Sequence, residues 1–391
     1  MICVGIDVSK DKHDCCIFSS DGQLLLKPFS VPNNRDGFDS LYSAVLSFEN
    51  DPNKVKVGLE ATGHYSFNIL GYLLEKGIHC FVFNPLHTNL YRKSLTLRKT
   101  KTDKVDSKII AKMLLSEVDL KPYSKTLYHN EQLKSLSRYR FSKIRERGNL
   151  KQQLARLVNI LFPELENLVP SLHLSSVYAL LEEFPGASYV AKAHITRLSN
   201  LLCASSKGHY KKDKAVEIRN AASSSVGSVM PAKSLELKHT IQLIRILSEE
   251  IDEIESQIQE IMEKIQSPIT SIPGLGFRMA AMILSEIGDF SKFDSPDKIL
   301  AFAGISPSTY QSGKLDNAYA HMEKRGSRYL RYALYNAAIY VCHWDKTFSV
   351  YLQKKRAEGK HYYVALSHAI KKLVRVIYRL QLTGEPYRPA V

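Results

Sequence analysis

The chain has 391 residues, 44% apolar and 24% charged, an ordinary balance for a globular protein with room for two or three domains. Lysine and arginine number 54 against 39 aspartates and glutamates, a formal charge of +15, which exceeds what solubility needs and calls for a polyanionic partner. Apolar runs all fall short of the roughly 18 residues of a membrane span, so no membrane segment is expected.

The first 90 or so residues alternate strand and helix signals. Strands are predicted over Ile2–Asp7, Asp14–Phe18 and Gln23–Leu26, with turns at Val8–His13 and Ser20-Asp21-Gly22. No basic segment leads into an apolar one at the start, so no secretory leader is expected. Asn33–Phe48 is predicted as an amphipathic helix, Lys54–Glu60 as a strand, His64–Lys76 as a helix stopped by Gly77, and His79–Phe83 as a strand ended at Pro85. Three strands in sequence followed by alternating helix and strand predict a mixed α/β sheet. That order resembles the ribonuclease H-like layout, in which the first and fourth strands carry acidic residues side by side.

Leu86 to Lys112 is strongly basic, with eight Lys/Arg against Asp103 and Asp106. Asn130–Pro163 is predicted as one long helix with a basic face, including Arg138 and Arg145, around a leucine stripe. Leu235–Ile265 carries a heptad pattern, with Leu237, Ile244, Ile251, Ile258 and Ile265 at a positions and Leu247, Ile254 and Ile261 at d. The two long helices are expected to pair as an antiparallel coiled-coil hairpin, the rival being pairing between chains. A small helical insert is expected between them, at about residues 165–232. Beyond it, Ile272-Pro273-Gly274-Leu275-Gly276 reads as a helix-hairpin-helix turn or a tight interhelical turn. In the former, Gly274 and Gly276 let backbone N–H groups approach a DNA phosphate. The last 79 residues hold 15 Lys/Arg, five Asp/Glu and ten tyrosines, which suits a nucleic-acid surface with most of the rings left to packing. The six cysteines show neither C-x-x-C nor zinc spacing and are expected as free thiols in a reducing cytoplasm.

Four carboxylates carry the chemistry. Asp7 and Glu60 end the strand-like runs Ile2-Cys3-Val4-Gly5-Ile6-Asp7 and Val55-Lys56-Val57-Gly58-Leu59-Glu60. Asp103 and Asp106 share one face if Lys101–Asp106 is helical. Such a cluster suits Mg²⁺ or Mn²⁺ and in-line phosphoryl transfer. Asp11 and Asp14 are read as turn and surface residues. A second candidate is Ser312, in Gln311-Ser312-Gly313, with the basic loop Lys324-Arg325-Gly326-Ser327-Arg328-Tyr329-Leu330-Arg331 downstream. A serine nucleophile needs cations for the charge that develops on phosphate, and Arg325, Arg328 and Arg331 are candidates.

Ile6-Asp7-Val8-Ser9-Lys10, Gly58-Leu59-Glu60-Ala61-Thr62-Gly63 and Lys101-Thr102-Asp103-Lys104-Val105-Asp106 resemble the N-terminal motifs of the DEDD transposases of bacterial insertion sequences. Ile272-Pro273-Gly274-Leu275-Gly276, Ala303-Gly304-Ile305-Ser306-Pro307, Gln311-Ser312-Gly313 and Lys324-Arg325-Gly326 resemble that family's C-terminal domain, in family order. Ala320-His321-Met322-Glu323 departs from it, standing where a glycine and a small apolar residue are common.

The resemblance implies a RuvC-like domain over residues 1–125 in which Asp7, Glu60, Asp103 and Asp106 bind magnesium. A helical middle region follows over 126–266, then a mostly α transposase domain over 267–391 with Ser312 as the nucleophile that becomes linked to DNA. It also implies a homo-oligomer, dimer or tetramer, in which one subunit's carboxylates meet another's serine. A structured non-coding guide RNA would pair with donor and target DNA in the bacterial cytoplasm. Nucleic-acid contacts are expected at Arg98, Lys99, Lys101, Arg138, Arg145, Gly274, Gly276, Lys324, Arg325, Arg328 and Arg331. The rivals are a RuvC-like nuclease or junction resolvase using activated water, and a catalytically inactive nucleic-acid-binding protein. An actin-like ATPase is a more distant alternative, because a second glycine-rich phosphate loop is missing.

Overall fold

The computed structural model of the chain describes residues 1–60, 65–95, 103–116, 120, 122–123, 125–306, 311–312, 315–316 and 322–389. They form two units, Met1–His129 and Asn130–Val391.

The first unit is built on strands β1 (Ile2–Val8), β2 (Lys12–Ser19) and β3 (Leu24–Pro32), helix α1 (Arg35–Leu46), β4 (Val55–Glu60), α2 (Ser66–Glu75), β5 (His79–Phe83), α3 (Pro85–Leu95) and α4 (Asp103–Ser116). The sheet order is β3-β2-β1-β4-β5. β2 runs antiparallel to both β1 and β3, while β4 runs parallel to β1 and β5. This is the mixed sheet the sequence predicts. β3 is longer than its apolar run because pairing with β2 continues to Lys12↔Pro32. It lies at the sheet edge, where prolines leave no central ladder bond unmade. α1 starts later than predicted, at Arg35, because the Asn34 side chain accepts from Gly37 N–H at 2.9 Å and caps the helix there.

The two-residue alternation of β1 sorts its side chains onto two faces. Ile2, Val4, Ile6 and Val8 join a core with Phe38 and Leu41 of α1 and Ile69 and Leu73 of α2. Gly5 faces α4. A Cβ there would lie 2.1 Å from the Ser107 carbonyl oxygen, and one at Gly58 would lie 2.8 Å from Ile110 Cγ2. The helix is thus seated directly on the backbone of β1 and β4. Asp14 corrects a sequence expectation. It is 1% exposed, bonded by Ser30 Oγ at 2.6 Å and paired with Lys12 at 3.1 Å. Strand alternation turns it to the same face as Asp7, its cross-strand partner.

Helix α5 (Lys125–Leu161), which belongs to the second unit from Asn130 on, is followed there by short helices α6 (Leu165–Leu168), α7 (Ser175–Glu183), α8 (Ala187–Lys192), α9 (Ile195–Ser205) and α10 (Lys212–Ser223), then by α11 (Pro231–Ile265). Arg140 pairs with Glu255 at 2.6 Å and Lys143 with Glu250 at 2.7 Å. Arg147 bonds Ser248 at 3.0 Å and Gln153 bonds Glu236 at 2.9 Å. One number rises as the other falls, so α5 and α11 run antiparallel within one chain. Apolar packing brackets these polar bonds. Leu154, Leu157 and Leu161 meet Leu237, Ile241 and Ile244 in one cluster, and Leu133 joins Ile254, Ile258 and Met262 in another. The final heptad position, Ile265, is 41% exposed, because the helix ends at Gln266 in a left-handed conformation. Val177, Leu181, Leu198, Leu202 and Ile218 of the short helices fill the first of these clusters, so the insert is part of a core and not a surface loop.

The C-terminal part consists of α12 (Phe277–Ile287), α13 (Pro296–Phe302), β6 (Gln311–Ser312), β7 (Leu315–Asp316), α14 (Arg328–Trp344), α15 (Lys346–Ala357) and α16 (Tyr362–Thr383). Its core includes Ala280, Ile283, Leu334, Ala337, Leu366, Ile370 and Leu373, with Tyr329, Tyr332 and Tyr335 packed against it. All six cysteines are free. No helix among the described residues is long and apolar enough to cross a membrane.

Candidate nucleic-acid-processing site

The first unit gathers acidic residues on the face that α4 covers. β1 and β4 pair in register up to Ile6↔Leu59, so Asp7 and Glu60 stand one step beyond, on neighbouring strands and on the same face. Each carboxylate lies two residues after the glycine that seats α4, in Val4-Gly5-Ile6-Asp7 and Val57-Gly58-Leu59-Glu60. The close approach of α4 therefore also brings the first turns of that helix to the acidic strand ends. Asp106, in its second turn, is 7% exposed. It lines a cavity of about 250 Å³ together with Glu60 and with Pro85, Thr88, Asn89 and Arg92 of α3. Arg92 Nη1 lies 3.1 Å from Asp106 Oδ1, and its Nη2 donates to Asn89 Oδ1 at 2.7 Å. Asp103 is the first residue of α4, and its side chain lies outside the described residues, as do Arg98, Lys99 and Lys101.

The second unit builds a clasp from the residues that flank the segment carrying Ser312. Ser306 precedes that segment and Glu323 follows it, with Glu323 N–H donating to the Ser306 carbonyl at 3.2 Å. Ser327 N–H donates to Phe302 at 2.9 Å, and Arg331 Nη1 donates to the carbonyls of Ala303 at 2.9 Å and Lys324 at 3.3 Å. Gly304, at φ +68°, is needed here, since a Cβ would meet the Arg325 carbonyl at 2.3 Å. The motifs Ala303-Gly304-Ile305-Ser306 and Lys324-Arg325-Gly326 are thus the two jaws of one clasp. Lys324 itself adopts φ +51°, a left-handed conformation costly for a lysine. Within the segment, Ser312 pairs with Leu315 in the β6–β7 ladder, and its side chain lies outside the described residues.

A buried carboxylate ties this clasp to α5. Glu286, 4% exposed on α12, accepts from Arg138 Nε at 2.6 Å and Nη2 at 3.0 Å, and from Ser327 Oγ at 2.6 Å. Ser327 Oγ in turn accepts from Leu330 N–H and caps α14. Burial pulls the Arg138 pKa down, but the Glu286 bonds and charge outweigh it, and the net shift is upward. The guanidinium groups of Arg138 and Arg328 lie 4.7 and 4.8 Å from the Tyr329 ring centroid. Arg145, Lys324, Arg325 and Arg328 are exposed, whereas Arg331 is engaged by the clasp carbonyls. Gly274, at φ +84°, backs onto the Tyr340 carbonyl, where a Cβ would approach to 2.6 Å, so it has a packing duty of its own. Gly276 is the N-cap of α12 beside open space.

Comparison with known proteins connects the two units. The DEDD-type IS110 family model, described as "Transposase", matches residues 4–163, and the model "Transposase IS116/IS110/IS902 family" matches residues 266–353. The chain belongs to this transposase family. An insertion element IS116 protein of Streptomyces clavuligerus is 24% identical over 100% of this chain and 96% of its own length. The pilin gene-inverting protein of Moraxella bovis is 22% identical over 98% of this chain and 97% of its own. Among solved structures, Thermus thermophilus RuvC aligns with 32% of this chain and 100% of its own, at 16% identity and a TM-score of 0.22. The transposase is therefore an enzyme of DNA strand cleavage and transfer, like its family.

The acidic wall of the transposase's first unit fits a hard divalent cation. Its donors are carboxylate oxygens, and the Glu60–Asp106 cavity already draws in a cationic group, Arg92. Among the described residues no three acidic, histidine or cysteine side chains are gathered closely enough to hold an ion by themselves. Sequence reasoning missed Arg92, Asn89 and Glu286. Arg92 was one of eight cations in a basic run, and nothing in its spacing marked it. Glu286, in the apolar helix sequence Met282-Ile283-Leu284-Ser285-Glu286-Ile287, carried a signal, because a carboxylate on a buried helix face demands a partner.

Proposed function

We propose that this transposase cuts and rejoins DNA by phosphoryl transfer, with Ser312 as nucleophile and Asp7, Glu60, Asp103 and Asp106 as the carboxylates of a Mg²⁺ or Mn²⁺ site. The observation that carries the reading is the cavity shared by Glu60 and Asp106, with Asp7 beside Glu60 on the same face of the sheet. A divalent cation bound there would neutralise charge on the reacting phosphate and ease loss of the hydroxyl proton. The Ser312 hydroxyl attacks the phosphorus, the sugar 3′-oxygen leaves, and a phosphoserine link keeps the bond energy for rejoining. The clasp supports this role by closing the serine segment at its base and leaving Lys324, Arg325 and Arg328 exposed for backbone phosphates.

The same reading takes residues 1–125, 126–266 and 267–391 as catalytic, helical-pair and transposase domains. It includes a homo-oligomer in which carboxylates and serine come from different subunits, and a structured guide RNA that selects donor and target DNA in the cytoplasm. The basic surface with Arg145 and the Gly276 helix start serves nucleic-acid contact.

Incubation with DNA bearing the element's ends, followed by a denaturing gel, tests the nucleophile. A protein–DNA adduct is expected from the native chain and is lost in Ser312→Ala. Free cut ends without an adduct would overturn the serine reading in favour of activated water. Sequencing RNA that co-purifies with the protein tests guidance, with one discrete structured species expected against random cellular RNA.

A further inference from the structure

The cavity in the first unit has two unlike walls. One is acidic, formed by Glu60 of β4 and Asp106 of α4. The other is α3, which turns Thr88, Asn89 and Arg92 toward it. Positions 88, 89 and 92 share one helical face, so α3 presents an amide, a hydroxyl and a guanidinium together. At about 250 Å³ the space is several times the roughly 30 Å³ of one water molecule, enough for an ion and a phosphate oxygen with their remaining waters. Arg92 bridges the walls, with one nitrogen on Asp106 and another on Asn89.

Carboxylates that share a small, poorly solvated space repel one another unless a cation intervenes. The Asp106 side chain is only 9% exposed and Arg92 only 22%, so their attraction is weakly screened. Arg92 supplies the compensating charge from a different helix, through a flexible stem that can withdraw without moving either backbone. A guanidinium is also the group best shaped to take two oxygens of a phosphate.

We infer that Arg92 is a displaceable counter-cation of the carboxylate site. It holds Asp106 until a divalent cation claims that carboxylate, and its guanidinium then passes to the DNA phosphate entering the cavity. Asn89 is the anchor that keeps Arg92 on the α3 wall in both states. This rests on the reading of Asp7, Glu60, Asp103 and Asp106 as metal ligands.

The consequence is a pair of opposed effects that a structural ion pair would not produce. In the full-length protein without DNA, Arg92→Gln is expected to bind Mn²⁺ about tenfold more tightly by calorimetry, since one competitor for Asp106 is gone. At saturating metal the same variant is expected to cleave DNA about a hundredfold more slowly in single turnover, having lost a cation that stabilises the reacting phosphate. Arg92→Lys, which keeps the charge but not the fork, falls between on both scales. Unchanged or weaker Mn²⁺ affinity in Arg92→Gln, or cleavage at the native rate, would overturn the inference. Should that variant fail to fold, Arg92→Lys carries the same test, with Mn²⁺ affinity expected above and cleavage below the native values. Asp106→Asn separates the two readings. If the native chain binds Mn²⁺ and Asp106→Asn does not, the carboxylate site stands and the Arg92 result judges this inference alone. If the native chain binds none, the carboxylate site itself fails.

Discussion

The two units place their candidate site residues by different physical means. In the first, position follows from backbone regularity. Strand register sets Asp7 beside Glu60, and two glycines let α4 rest on the sheet. In the second, position follows from tertiary closure. Residues 302–306 and 323–331 clasp each other, and Glu286 fastens that clasp to α5 through Arg138. A site made by register depends on a few backbone contacts that tolerate no extra atom. A site made by closure depends, apart from tight glycine contacts such as Gly304, on side chains that can be exchanged if their partners are exchanged with them.

This contrast can be broken most severely at Gly5. Gly5→Ala forces a Cβ against the Ser107 carbonyl, so α4 must lift. Denaturant unfolding of the first unit is expected to lose about 3 kcal/mol or more, the upper range for overpacking. A loss below about 1 kcal/mol would mean the helix yields easily and the register argument is weak.

In the second unit, Glu286→Gln should cost about 2 to 3 kcal/mol, because it removes the charge that pairs with Arg138 and turns the acceptor shared by Arg138 Nη2 and Ser327 Oγ into a donor. The figure sits below that of a fully buried pair because the Arg138 side chain is 42% exposed. Replacing both groups, in Arg138→Met with Glu286→Met, is expected to recover most of that loss, which no second change can do for Gly5. Equal losses in the single and double variants would erase the distinction between register and closure.

The jaw of the clasp holds one backbone contact of the first unit's kind. Gly304→Ala combines strain at φ +68° with a Cβ 2.3 Å from the Arg325 carbonyl, at a cost of about 3 kcal/mol or more. Melting of the second unit checks the stability. Adduct formation by Ser312 should fall by more than the folded fraction does if the clasp positions that segment.

The smallest effect is the pH dependence that His13 gives the first unit. His13 is fully buried, and burial lowers its pKa below the ordinary 6.5, with Asn33 and Asp14 partly opposing the shift. The unfolded chain therefore binds the proton more readily, and stability falls as pH drops through and below about 6.5. Unfolding curves of the native chain and His13→Phe between pH 8 and about 5 should differ in slope, with the variant flatter.

Much of the first unit was legible in the sequence. Short apolar runs marked β1 and β4, and the parallel phrases ending in Asp7 and Glu60 put two carboxylates at strand ends. Asp14 was misread because a polar residue after a charged turn resembles surface, and only the pairing with Ser30 and Lys12 explains its burial. The heptads of α11 announced a partner helix, yet they left open whether it came from the same chain. The ion pairs to α5 answered that.

By itself, then, the sequence determined the strands, the long helices, the acidic strand ends and the basic balance, because these are encoded in local period and composition. The tertiary structure alone decided that Arg92 faces Asp106, that Glu286 joins Arg138 to Ser327, and that the two motifs flanking the Ser312 segment close on each other. Those are contacts between side chains far apart in the chain. Their partners are chosen by how helices pack, and no local pattern records that choice.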